Sequence, residues 1–141
     1  MEDKYLITII GTQEIEGEKE TIEVMTTGNY EEKDGDKFIY YKEYDNENPE
    51  LYTDTTVKIS KDKKVTITRK NDCESTMILE KNIRHQCHYN TPMGSIMMGV
   101  YTKDLVDCLS TKGGDMVVTY QLDFFADVMS NNEFHINIKE K

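Results

Sequence analysis

The sequence is poor in the residues that build helices and membrane spans. Its 141 residues contain no tryptophan, two prolines, three cysteines and a single alanine, Ala126. Alanine is the best helix former, so a helical domain of this size would lack it almost everywhere. The longest apolar runs are a few residues, such as Met116-Val117-Val118, whereas a membrane helix needs roughly twenty. These shortages exclude a transmembrane helix and argue strongly against a helical fold.

Positive charge is also scarce. Lys and Arg number 17 against 27 Asp and Glu, which gives a formal net charge of −10 at pH 7. Nucleic acid and anionic membrane surfaces are bound through clustered Lys and Arg. We therefore expect neither nucleic acid nor a membrane among the partners of this protein.

Targeting signals are missing from the first residues. Met1-Glu2-Asp3-Lys4 does not show the basic region and apolar stretch of a secretory signal. Three cysteines cannot all pair within one chain, and without a signal they indicate reduced thiols. We therefore expect a cytoplasmic location.

The residues that are abundant favour strands. The chain has 15 Thr, 13 Ile and 8 Val, and these β-branched residues pack well on a pleated surface. The charged fraction of 31% and the mean hydropathy of −0.68 could suggest disorder. Because the apolar residues alternate regularly with polar ones, we predict instead a folded sheet with a solvated outer face.

Period-two alternation, broken by turn residues, predicts about ten antiparallel strands in one domain spanning residues 1–141. Asp34-Gly35 predicts a hairpin whose two central residues have positive φ. The acidic segment Asp45–Glu50 is predicted to be the longest loop. The pattern is typical of an up-and-down barrel or a sandwich. The predicted strands cover residues 5–13, 21–30, 38–41, 55–59, 65–69, 75–80, 84–90, 99–105, 115–124 and 134–139.

Residues 89–102, with the sequence YNTPMGSIMMGVYT, resemble the signature Y-x-T-P-[YF]-G-x-x-x-M-G-V-x-T of the YwiB-like family. The order of other segments agrees along essentially the whole chain: Gly11-Thr12-Gln13, the hairpin at 32–35, Thr55-Thr56, Arg69 ahead of Ser75-x-Met77, and Tyr120-x-Leu122. Met93 stands where the family usually has an aromatic residue. The resemblance implies a calycin-like, lipocalin-like β-barrel of about 8–10 strands with little or no helix. It also implies a bacterial cytoplasmic setting, and no activity is assigned to the family.

The same motif contains Thr91-Pro92-Met93-Gly94, which predicts a tight turn or a strand bend. Proline holds its φ near −65°, and glycine adopts conformations that are costly for other residues. The specificity of this tetrapeptide would then lie in its backbone geometry.

Arg69 is the most informative single residue. It shares strand parity with Val65 and Ile67, so a regular strand points its guanidinium into the barrel. A buried guanidinium is costly unless it is paired, either with protein groups or with the carboxylate of a ligand. Tyr120, Tyr89 and, more weakly, Tyr101 could donate hydroxyls to the same point, as in intracellular lipid-binding calycins. The alternatives are an Arg that reaches solvent at a strand end, and a structural ion pair.

Two functions follow from this reading. One is a small-molecule-binding barrel that holds an anionic or carboxylate-bearing ligand through Arg69, Tyr89, Tyr101 and Tyr120. The other is a packed barrel that acts as a structural or protein-interaction module without ligand. A hollow polar interior would favour the first, and normal core density would favour the second.

Catalytic and metal motifs are weak. Cys73, His85, Cys87 and His88 lack the paired short spacings of a zinc site, so we expect no metal and no cofactor. No nucleophile elbow, phosphate-binding glycine loop or H-E-x-x-H is present. We therefore assign no catalytic residues, and an enzyme is the less favoured class.

Overall fold

The computed structural model describes residues 4–44, 47, 50–71, 74–91, 94–124 and 127–141, with the backbone alone at residues 89–91, 127 and 128. These residues form ten strands and contain no helix. The described chain therefore has no helix that is long and apolar enough to cross a membrane. The strands are β1 (Tyr5–Ile15), β2 (Glu18–Lys33), β3 (Asp36–Tyr44), β4 (Tyr52–Ile59), β5 (Val65–Lys70), β6 (Glu74–Leu79), β7 (Arg84–Thr91), β8 (Gly94–Ser110), β9 (Gly113–Phe124) and β10 (Asp127–Glu140).

Each strand pairs antiparallel with the next along the chain, and β1 pairs with β10 to close the barrel. The closing ladder is long, running from the pair Tyr5–Glu140 to the pair Glu14–Asn131. Closure removes sheet edges, which are otherwise sites of aggregation. The predicted all-β barrel of about ten strands without helix is thus confirmed.

Several strands are longer than the alternation predicts. β8 begins at Gly94 rather than near residue 99, and β10 begins at Asp127 rather than at 134. β8 also contains a bulge between Thr102 and Asp104, where its register with β9 shifts. The bulge inserts one extra residue and reverses the alternation beyond it. For this reason the faces of β8 look mixed in the sequence.

The tight turns have the backbone conformations that their residue types predict. Asp34 and Gly35 have φ of 54° and 88°, and Lys33 pairs with Asp36 across them, as predicted. Thr91 pairs with Gly94, whose φ is 126°, so the predicted unusual backbone at Gly94 is also confirmed. Pro92 and Met93 lie outside the described residues. The predicted loop at 45–50 falls between β3 and β4, and residues 45, 46, 48 and 49 lie outside the described residues.

Alternate residues of the strands point inward and form one apolar core. Core side chains from seven strands are almost inaccessible to solvent: Ile7, Ile39, Val57, Ile59, Val65, Leu79, Met116, Val118 and Ile136. Close packing of branched side chains in a small barrel fills its middle. An interior cavity of useful size must therefore lie near one of the two ends.

The barrel wall has two weak seams. In the described chain β6 and β7 share one pair, Ser75–Tyr89, and β2 pairs with β3 only from Gly28 to Lys33. The first half of β2 consequently diverges from the last residues of β3. Here the Thr26 hydroxyl donates a hydrogen bond to the carbonyl of Lys42 over 3.1 Å. Beyond this contact the wall opens, and the opening positions the site described next.

Candidate functional site

Arg69 lies near the end of β5, beside this opening. Val65 and Ile67 on the same strand face are 0% and 8% exposed, whereas the Arg69 side chain is 39% exposed. Two neighbouring cavities of about 50 Å³ and about 350 Å³ are lined by Arg69, Tyr120 and Phe134 in common. Arg69 therefore lies at a cavity at the open end of the barrel.

The larger cavity lies between β1, β2, β3, β5, β9 and β10. Its apolar wall consists of Ile9, Ile22, Val24 and Phe134. Its polar side chains are those of Thr12, Gln13, Glu20, Glu43, Arg69, Tyr120, Asn132 and Glu133. A volume of this size with mixed apolar and polar lining is in the range of small-molecule sites.

Glu43 faces Arg69 from β3. Arg69 Nε lies 3.7 Å from Glu43 Oε2, and the Thr55 hydroxyl donates a hydrogen bond to the same oxygen over 3.2 Å. Thr55 pairs with Arg69 in the sheet, so the backbone register sets this arrangement. Both charged side chains are partly exposed, and solvent therefore screens their attraction.

Tyr41 lies beneath the ion pair. Its side chain is 4% exposed, and burial, together with the neighbouring charge of Glu43, raises the pKa of its hydroxyl. The positive charge of Arg69 acts in the opposite direction on that pKa. Tyr41 therefore stays neutral and contributes a polar hydroxyl to the floor of the Arg69–Glu43 region.

On the opposite wall, Asn132 is held by its neighbour. The Asn132 side-chain amide donates to the Ser130 hydroxyl over 2.9 Å, and both residues are buried. A buried amide that is held in this way has little rotational freedom, so its remaining polar atoms keep a constant direction. Asn132 is thus a preorganised hydrogen-bonding group in the cavity wall.

The other end of the barrel is closed by charge. Lys37 Nζ donates to Asp107 Oδ2 over 3.0 Å and to the Leu109 carbonyl over 2.8 Å. The Asp107 side chain is 3% exposed, and its second oxygen accepts the Leu109 N–H over 3.0 Å. With this end occupied, access to the interior is from the Arg69 end.

The three predicted tyrosines take different positions relative to the cavity. Tyr120 lines both cavities with Arg69. Tyr89 pairs through its backbone with Ser75, the residue that also pairs with Arg69, but its side chain lies outside the described part. Tyr101 lies between the buried residues Val100 and Thr102, and alternation therefore places it on the outer face. The geometry does not bring Tyr101 to the cavity.

Sequence reasoning missed Glu43, Asn132 and the Lys37–Asp107 pair. A signal existed for two of them, because Lys37 and Glu43 share strand parity with buried Ile39 and Tyr41. An inward charge on one strand requires an opposite charge on another. The sequence does not reveal the partner of Lys37, because Asp107 is 70 residues away in the chain.

The described His and Cys residues do not converge, and Cys73 lies outside the described residues. His85 and Cys87 share a face of β7, and the His85 ring is 2.9 Å from Glu80 Oε1. Cys87 is buried, and its sulfur accepts the Ile78 N–H over 3.4 Å at the seam between β6 and β7. Within the described part of the chain, no three His, Cys, Asp or Glu side chains group in a way that could hold a metal ion.

Fold and site together define a small antiparallel β-barrel with one closed end and one end that carries a cavity. The chain belongs to the DUF1934 family, a domain of unknown function, whose model matches residues 7–136. A solved structure, that of the ywiB protein from Bacillus subtilis, is similar to this fold with a TM-score of 0.85 and 19% sequence identity. The match covers 99% of this chain and 92% of that one. A comparison with curated proteins found no match.

Proposed function

We propose that the cavity beside Arg69 binds a small carboxylate-bearing ligand. The observation that carries this proposal is the shared lining of one cavity of about 350 Å³ by Arg69, Tyr120 and Asn132 at the open end of the barrel. A guanidinium presents two parallel N–H donors to a carboxylate, and a phenol and an amide add further hydrogen bonds. Ile9, Val24 and Phe134 provide an apolar wall for the rest of the ligand.

In this proposal Arg69 holds the carboxylate and Tyr120 donates a hydrogen bond to it. Tyr89 remains a candidate because its backbone pairs with Ser75, and Ser75 pairs on its other side with Arg69. Tyr101 is left out because it lies on the outer face. The protein acts as a binding barrel, and the proposal includes no catalytic step, no metal, no cofactor and no nucleic-acid or membrane partner.

We further propose that the protein is a calycin-like β-barrel and that it is located in the bacterial cytoplasm. Chain-order pairing of all ten strands supports the up-and-down architecture. Cys87 and Cys108 are free thiols, as expected in a reducing compartment. The similar barrel from Bacillus subtilis supports a bacterial setting.

The experiment compares ligand binding by wild type and Arg69→Met. Fatty acids and other small carboxylates are titrated by calorimetry, with circular dichroism to check the fold. Methionine keeps most of the stem volume, so we expect the variant to retain its barrel and to lose binding. Lys70→Met is the matched control, because Lys70 is an exposed cation on the same strand. Equal affinities in wild type and Arg69→Met would overturn the proposal.

A packed barrel that serves protein interaction is the alternative. It is supported by the filled middle of the barrel and by exposed apolar side chains such as Ile22 and Met25 on β2, which are 61% and 62% exposed. If Arg69 serves only the ion pair with Glu43, Arg69→Met changes the melting temperature and no carboxylate binds either protein. That outcome would favour the alternative.

A further inference from the structure

The charges around the cavity are unbalanced. Glu20 shares the inner face of β2 with Ile22 and Val24, and Glu43 faces inward from β3. Arg69 is the one Lys or Arg among the described residues that line the cavity. The lining holds three carboxylates, those of Glu20, Glu43 and Glu133, and one guanidinium, which gives this region a formal charge of −2. A ligand that carries only a carboxylate would enter a site that is already negative.

Glu43 places one of these negative charges next to the Arg69 guanidinium. Its Oε2 lies 3.7 Å from Arg69 Nε, so a ligand carboxylate that reaches the guanidinium also comes close to the Glu43 carboxylate. Thr55 holds that oxygen in place through its hydroxyl. One guanidinium would then face two carboxylates, and a second positive charge would balance the group. An ammonium group on the ligand would supply that positive charge.

The apolar part of the cavity wall indicates that the rest of the ligand is apolar. Ile9, Ile22, Val24 and Phe134 form an apolar surface next to the charged groups. Such a surface stabilises an apolar side chain in proportion to the area that it removes from water. The charged groups and the apolar wall thus lie side by side in one cavity.

We propose that the ligand is a zwitterion, with one carboxylate for Arg69, one ammonium group for Glu43 and Glu20, and an apolar body against Ile9, Val24 and Phe134. A free amino acid with an apolar side chain is the simplest member of this class. This inference rests on the proposed carboxylate-binding function and specifies its ligand class.

Three probes with the same branched apolar body test it by calorimetry. They are L-leucine, 4-methylpentanoate, which lacks the amino group, and 3-methylbutylamine, which lacks the carboxylate. We expect L-leucine to bind wild type at least about tenfold more tightly than either single-charge analogue, because each analogue lacks one of the two charges that the site attracts. Glu43→Gln keeps an acceptor for Thr55 and removes one negative charge. It should weaken L-leucine binding and strengthen 4-methylpentanoate binding, each by about threefold.

Glu20→Gln provides a second variant at an exposed position, in case Glu43→Gln disturbs the fold. It should change the preference in the same direction by a smaller factor. Glu23→Gln is the matched control, since Glu23 lies on the same strand but on its outer face, opposite Ile10. It should leave all three affinities unchanged.

The outcomes separate the two proposals. If wild type binds 4-methylpentanoate as tightly as L-leucine, the zwitterion inference is overturned while carboxylate binding stands. If 3-methylbutylamine binds as tightly as L-leucine, both proposals are overturned, because the carboxylate then contributes nothing. If none of the three probes binds, the zwitterion inference is overturned, and the titration with other carboxylates decides the proposed function independently.

Discussion

Lys37 and Asp107 meet across the interior, with Lys37 Nζ 3.0 Å from Asp107 Oδ2, although 70 residues separate them in the chain. The pair links β3 to β8 on the far side of the barrel. It closes the end opposite Arg69. The Asp107 side chain is almost inaccessible, and Lys37 is its nearest counterion. Lys63 approaches the same oxygen at 3.9 Å from solvent and adds little.

Lys37→Met should destabilise the protein by about 3 kcal/mol, since it leaves a buried carboxylate without its main counterion. Urea denaturation at neutral pH measures the change. The double variant Lys37→Met/Asp107→Leu removes both charges and should recover most of the loss. A single variant within about 0.5 kcal/mol of wild type would show that Asp107 is hydrated or paired in another way.

Gly94→Val should destabilise the protein by more than about 1 kcal/mol. The cause is backbone strain, because φ at Gly94 is 126° and a Cβ there would meet no atom within 4 Å. Gly11→Val is the control, since a Cβ at Gly11 is equally free of contacts and Gly11 has no positive φ. Thermal unfolding of both variants checks the prediction. An unchanged melting temperature for Gly94→Val contradicts it.

Stability should decrease at alkaline pH through Tyr41. Burial and Glu43 raise the pKa of its hydroxyl above the ordinary value of 10.0, so the folded protein retains this proton more tightly than the unfolded chain. The stabilisation is therefore complete below pH 10.0 and is lost as the pH rises above that value. We expect a decrease in unfolding free energy of about 1.4 kcal/mol per pH unit from this residue.

Denaturation at a series of pH values above 10.0 tests the role of Tyr41. Tyr41→Phe should decrease the dependence on pH, although not abolish it, because burial also raises the pKa of Tyr30. Tyr44→Phe, at an exposed position on the same strand, is the matched control. Parallel pH curves for wild type and Tyr41→Phe would count against this assignment.

Cysteine labelling should distinguish the two described thiols. Cys108 is exposed, whereas Cys87 is buried and burial raises its pKa, so less of the reactive thiolate forms there. In a Cys73→Ser background, N-ethylmaleimide should modify Cys108 within minutes and Cys87 only after unfolding, as followed by mass spectrometry. Equal rates at both sites would mean that the seam between β6 and β7 opens readily.

Alternation and turn residues allowed much of the fold to be predicted. Val65, Ile67 and Arg69 on one face, or Asp34-Gly35 between two strands, are local patterns that specify strands and hairpins without distant contacts. The strand ends and the β8 bulge were less predictable. Beyond Thr102 the register of β8 with β9 shifts by one residue, and the sequence of β8 alone does not show where.

The sequence by itself determined an all-β chain, its ten strands in order, the positive φ at two turns and the inward parity of Arg69, because each follows from residue type and a period of two. Only the tertiary structure decided that Glu43 faces Arg69 and that Lys37 meets Asp107. It also decided that the wall opens between β2 and β3 and that Tyr101 lies outside. These features depend on which strands become neighbours and in what register. Such choices are made between residues far apart in the chain, where local pattern carries no information.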